Sequence, residues 1–160
     1  MWCIGEKHPD KVHMWGCFSA HGMGDLYMFE ENLDGPLMVR ILKQCLLRSA
    51  QRLFPPGQWF FQQDNDPKHK SKLVQKWLQT SGIDVMDWPS YSPDLNPIEN
   101  LWADVKRRAE MDNPQDVESL RNALQKAWDE TDMRLIKKLI ESMPRRLKRV
   151  REQAGWMTGY

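Results

Sequence analysis

The stretch Phe60-Phe61-Gln62-Gln63-Asp64-Asn65-Asp66-Pro67-Lys68-His69-Lys70 sets two aspartates one residue apart, behind aromatic and amide side chains and ahead of a proline and three basic residues. A further acid, Glu99, lies in Asn96-Pro97-Ile98-Glu99-Asn100, with 34 residues between it and Asp64. Brought together, Asp64 and Glu99 could act as a catalytic pair of carboxylates. Lys68, His69 and Lys70 stand beside the first of these acids. Each acid also has a plainer reading. Asn96 to Glu99 fits a capping box, Asp66 before Pro67 fits an ordinary helix cap, and Asp64 could merely end a strand. Spacing alone leaves the plainer readings ahead.

The elements that must position these groups can be read from periodicity. Residues 11–20 and 24–30 are rich in β-branched and aromatic side chains and flank His21-Gly22-Met23-Gly24, which predicts a hairpin. Met38, Ile41, Leu42, Cys45, Leu46 and Leu53 recur at helical spacing after Asp34-Gly35-Pro36. A strand is expected over 58–63, a helix over 68–80 opened by Asp66-Pro67 and stopped at Gly82, and a second strand over 83–88. Together they predict a βαβ unit that delivers Asp64 and the loop before Glu99 to one edge of the sheet, where functional groups gather beyond the strands' carboxyl ends. Three more helices follow. The first carries Ile98, Leu101, Trp102 and Val105, and the second, opened by Asn113-Pro114, carries Leu120, Leu124 and Trp128. The third runs from about Asp132 through Leu139 to Pro144, which should kink or end it. The fold class is α/β, a mixed sheet with flanking helices and a helical C-terminal tail.

Composition bounds the function. The 160 residues suit one domain, and no apolar run approaches the length of a membrane span. The first residues lack the pattern of a secretory signal, so an intracellular protein is the default. The cysteines Cys3, Cys17 and Cys45 are scattered, which argues for reduced thiols rather than disulfides. A zinc site from Cys3, His8, His13 and Cys17 is remote, since strand alternation scatters those groups. Net charge is only +1, yet Arg145 to Arg151 carries five positive charges in seven residues. There Arg145, Arg146, Lys148 and Arg149 are candidate DNA contacts, with a solvated face as the rival reading.

Identity raises what spacing could not. The segments QQDNDPKHKS and WPSYSPDLNPIENLWADVK closely resemble the catalytic segments of the Tc1-like transposases, in the Tc1/mariner superfamily of cut-and-paste DNA transposons. The likeness extends to VHMWGCFSAHGMGDL upstream and ESMPRRLKRV downstream. In that family the catalytic acids fall on the first aspartate of DND and the glutamate of NPIEN, here Asp64 and Glu99, and their interval defines this branch. Lys70 departs from the threonine usual in relatives.

The resemblance implies a ribonuclease H-like fold, with residues 1–110 a partial catalytic DDE domain and 111–160 its helical extension. It implies a metal-dependent phosphotransferase using two Mg2+ (or Mn2+) ions about 3.5–4 Å apart. Asp64 and Glu99 would hold the metal, and Lys68, His69 and Lys70 at the start of the adjoining helix would meet phosphate oxygens, with a helix-surface or capping histidine as the rival reading for His69. DNA, both transposon ends and target, would be the partner. A homodimer, a nuclear location and no membrane association go with it. The family's first aspartate lies on an opening, central strand that counting back from Asp64 places before Met1. Asp10, Asp25 and Asp34 are not placed to substitute. The expectation is a truncated copy whose first strand is missing, with two strand edges left unpaired, that does not cleave or join DNA alone. The alternatives are a non-catalytic DNA-binding or partner-binding remnant using the basic C-terminal helices, and a ribonuclease H-like nuclease outside transposition.

Overall fold

The structure, a computed structural model, describes residues 12–63, 71–87 and 95–152. Strands β1 (His13–Ser19) and β2 (Gly22–Phe29) form the expected antiparallel hairpin. Alternation sends Met14 and Phe18 of β1 to one face of the hairpin and Trp15 and Cys17 to the other. On β2, Met23 and Leu26 share a face although three residues apart, because the register slips where Gly16 pairs with Leu26 and Phe18 with Met23. One extra residue therefore sits on β2, a bulge over Gly24 and Asp25.

Bulged backbone loses its ladder partners, and two buried side chains from different helices supply replacements. The indole Nε1–H of Trp128 donates to the carbonyl of Gly24 at 2.9 Å, and the N–H of Asp25 donates to Ser49 Oγ at 2.8 Å. Opposite the bulge, a Cβ on Gly16 would lie 2.5 Å from the Trp128 ring, so only glycine lets the indole approach. Trp128 in turn stacks on Trp102, with ring centroids 5.0 Å apart.

After the hairpin, α1 (Gly35–Ile41), a π-helical turn (Leu42–Leu46) and α2 (Leu47–Leu53) make one rod where a single α-helix was expected. Asp34 caps it as predicted, its Oδ1 accepting from the Leu37 N–H at 2.8 Å. The buried pairs Leu37/Met38, Ile41/Leu42, Cys45/Leu46 and Ser49/Ala50 recur every four residues. In an α-helix each such step overshoots a full turn by about 40°, and the wider π turn takes up the drift. One stripe therefore stays on the sheet throughout.

The predicted βαβ unit is present in reduced form. Helix α3 (Lys72–Thr80) is capped by Ser71 and followed by Gly82 at φ +64°, while the expected opening at Asp66-Pro67 lies outside the described residues. The flanking segments meet in a single parallel bridge, Phe61 with Val85, rather than as full strands over 58–63 and 83–88. The Phe61 N–H donates to Asp84 O and the Met86 N–H to Phe61 O, both at 2.8 Å.

Helices α4 (Pro97–Met111), α5 (Val117–Asp129), α6 (Met133–Glu141) and α7 (Met143–Glu152) complete the described chain. The cap of α5 is Asp116, in a capping box with Ser119, a few residues later than Asn113-Pro114 suggested. Pro144 occupies the first turn of α7, where its missing N–H costs nothing, so the chain breaks between α6 and α7 instead of kinking. Leu101, Val105, Leu120, Leu124, Trp128 and Ile136 pack on one face of the hairpin; Met38, Leu42 and Leu46 pack on the other, with Phe61, Val74, Leu78 and Ile83. Residues beyond 110 share the first of these cores. No described helix is long and apolar enough to cross a membrane.

Because the bulge couples both helical layers to β2, Ser49→Ala should strand the Asp25 N–H and lower unfolding free energy by about 1–2 kcal/mol. Gly16→Ala should cost about 1–3 kcal/mol through overpacking against Trp128. Urea denaturation checks both. Midpoints unchanged from the parent would show that the bulge contacts contribute nothing.

Candidate functional site

Between β1 and the segment Trp59–Gln63 runs a cavity of about 310 Å³, with Met38, Leu46 and Ala50 on one side and Ile98 and Trp102 on the other. It lies in the sheet layer, between two helical layers. Both backbone bonds of Phe61 go to residues 84 and 86. By strand alternation, the backbone groups of Phe60 and Gln62 face the opposite way. Gln62 Nε2 and Gln63 Oε1, on the cavity wall, are buried without a hydrogen-bond partner. Among the described residues the slot is thus lined mainly by apolar side chains, with two unsatisfied amide atoms on its wall.

Glu99 lines that same cavity from the first turn of α4 and is exposed. The capping box considered for it is not formed. Asn96 makes no side-chain cap bond, and the Glu99 N–H reaches the Asn96 carbonyl at 3.2 Å. Asp64 follows Gln63 directly but, with Lys68, His69 and Lys70, lies outside the described residues. Of the sequence-predicted pair the structure describes Glu99 alone, which lines this cavity as Gln63 does.

Neither described aspartate before Asp64 is available as another ligand. Asp34 caps α1. Asp25 accepts from Arg48 Nε at 2.6 Å and Arg52 Nη1 at 2.9 Å. Partial burial works to raise its pKa, but the hydrogen bonds from Arg48 and Arg52 outweigh it and hold the carboxyl below the usual range. Asp10 lies outside the described residues. Among those described, no three His, Cys, Asp or Glu side chains cluster as a metal site, so the zinc alternative gains nothing; Cys3 and His8 are not described. Cys17 and Cys45 are free thiols, as expected.

The basic tail divides. Arg145, Lys148 and Arg149 are exposed on α7, with Lys148 3.7 Å from Glu152. Arg146, grouped with them from the sequence, is instead 3% exposed and turned inward. Its Nε donates to Ser142 Oγ at 2.8 Å and its Nη2 to Asn100 Oδ1 at 2.7 Å. The available signal was periodicity, since Arg146 falls three residues after Met143 and four before Val150, on the inward stripe of α7.

Residues 5–121 match the family described as DDE superfamily endonuclease. The chain belongs to that superfamily, and the relatives it resembles are Tc1-type and mariner transposases. It is 40% identical over 159 residues to the Transposable element Tc1 transposase of Caenorhabditis elegans, and 38% identical over 159 residues to the Tcb1 transposase of Caenorhabditis briggsae. In each case the match takes in 99% of this chain but 58% of the relative, so the chain spans little more than half of their length. The catalytic domain of Mos1 mariner transposase superposes with a TM-score of 0.82 at 23% identity, covering 99% of this chain and 79% of that one, and the ribonuclease H-like fold is thereby shown. A Mos1 paired-end complex with the left transposon end matches with a TM-score of 0.81 at 21% identity, over 98% of this chain and 47% of that one. Mos1 catalytic domains have also been solved with Mn and with Mg.

Burial pushes the Cys17 thiol, on the cavity wall, up to about 11. The unfolded chain ionises this thiol near pH 9 and the folded chain does not, so stability should fall as pH rises from 9 towards 11. In Cys3→Ser/Cys45→Ser protein, the thiolate absorbance of Cys17 should appear about two pH units above that of a free thiol. A midpoint at the ordinary value would mean that the slot is open to water.

Proposed function

We propose that this chain carries the Asp64 and Glu99 part of a Tc1-like transposase active site, in which the two carboxylates hold Mg2+ or Mn2+ against a DNA phosphodiester. The observation that supports this most is the shared cavity: Glu99 and Gln63, the residue before Asp64, line one wall system. The donor chemistry fits, since carboxylate oxygens are the hard ligands these ions take. When bound, a pair of such ions supplies Lewis-acid polarisation of the phosphodiester and stabilises the leaving oxygen. The chain's own residues would do the rest. Glu99 is held on a helix start, Asp64 follows the Phe61 bridge, and Lys68, His69 and Lys70 together with Arg145, Lys148 and Arg149 would bind phosphates. Arg146 is withdrawn from that set by its burial.

With Asp25 and Asp34 engaged elsewhere, residues 1–160 by themselves are proposed not to cleave or join DNA. The reaction class is phosphodiester cleavage and strand transfer, with transposon ends and target DNA as substrates, in a nuclear and dimeric assembly. A second reading, DNA binding without chemistry through α7, is favoured by the exposed cations of that helix.

Mg2+ should raise the thermal midpoint of the parent chain, and should do so less for Asp64→Asn or Glu99→Gln. Plasmid nicking with Mg2+ or Mn2+ should stay at the background of the Asp64→Asn protein. An equal Mg2+ response in all three proteins contradicts the metal-holding role, and robust nicking abolished by Asp64→Asn contradicts the incompleteness. DNA binding that falls steeply with salt yet survives both substitutions, with no Mg2+ response, selects the second reading.

A further inference from the structure

We infer that Arg146 is a positioning residue for Glu99, acting through Asn100; the inference rests on the reading of Glu99 as a metal ligand. Three observations carry it. First, a guanidinium is costly to bury, yet Arg146 is 3% exposed. Second, its hydrogen bonds link two separate pieces of chain. Nε donates to Ser142 Oγ at 2.8 Å, Ser142 Oγ donates to the Leu139 carbonyl at 2.6 Å, and Nη2 donates to Asn100 Oδ1 at 2.7 Å. The relay runs from the C-terminal end of α6, through the first turn of α7, to the first turn of α4. Third, the N-cap of that turn, Asn96, contributes no side-chain cap bond.

Asn100 and Glu99 are neighbours about 100° apart around the helix, so Arg146 can grip one without covering the other. Holding Asn100 fixes both the axial rotation of α4 at its start and the height of its first turn. A carboxylate that must meet a cation within about 0.5 Å needs that kind of support, and partners one step removed from a metal typically change its affinity 10–100-fold. The fork also explains why this position holds arginine: lysine has no planar pair of donors to span Ser142 and Asn100 at once.

The test is Mn2+ titration of the full 160-residue chain, followed by paramagnetic broadening of the amide signals of α4's first turn. Arg146→Met and Asn100→Ala should each weaken the apparent Mn2+ affinity about tenfold. The double substitution should cost little more than either alone, and Arg146→Lys should recover part of the loss. Val74→Ala, which truncates a buried side chain of α3 outside the cavity lining, should leave the Mn2+ response unchanged and so separates positioning from general stability. If Arg146→Met does not fold, Asn100→Ala carries the comparison. Parental Mn2+ affinity in the folded Arg146 or Asn100 variants, alongside a loss in Glu99→Gln, overturns the positioning role. A Glu99→Gln protein that responds like the parent, or a parent that does not respond, instead overturns the reading of Glu99 and takes this inference with it.

Discussion

Two backbone hydrogen bonds, from Phe61 to Asp84 and from Met86 to Phe61, set the direction of the chain on either side of α3. They make the segments before and after α3 run parallel. Parallel segments end at the same edge, so the chain leaving Gln63 and the chain leaving Asp87 depart towards one side. In sequence, Asp64 follows the first of these segments, and the second is followed by α4 with Glu99 in its first turn.

The hairpin gives that edge something to rest on. Its bulge would be a weak point if left alone, with a carbonyl and an N–H removed from the ladder. Trp128 from one helical layer and Ser49 from the other satisfy them, so the irregularity fastens the layers to the strand. Arg48 and Arg52 also reach Asp25, but their side chains are 71% and 52% exposed, and screened pairs of this kind add roughly 1 kcal/mol or less each. Buried groups do most of the holding here. The same hairpin leaves its outer edge beside the cavity, so the sheet layer is firm on one side and open on the other.

Much of this was legible in the sequence because it rests on local signals. The hairpin, the Asp34 cap, a helix start near Asp132 and its end near Pro144 follow from turn and cap chemistry acting over a few residues. Asp64 and Glu99 were chosen by motif, and the structure adds only that Glu99 and Gln63 face one cavity. What the sequence did not disclose depends on distant partners. The π turn arises from a four-residue burial period that pattern reading rounds to an ordinary helix. The strands at 58–63 and 83–88 shrink to one bridge because strand length is set by neighbours, and β-propensity alone does not supply them. Arg146 read as one more cation in a basic run, because a buried arginine is recognised by its partner, and Asn100 lies 46 positions away.

The central claim, that Asp64 and Glu99 share a cation, is tested most directly by anomalous diffraction from crystals of the chain soaked in Mn2+. The account predicts an anomalous peak within coordination distance of carboxylate oxygens from both residues, at the open edge beside Gln63. A peak bound by Glu99 without Asp64, or manganese found only elsewhere on the molecule, would contradict it.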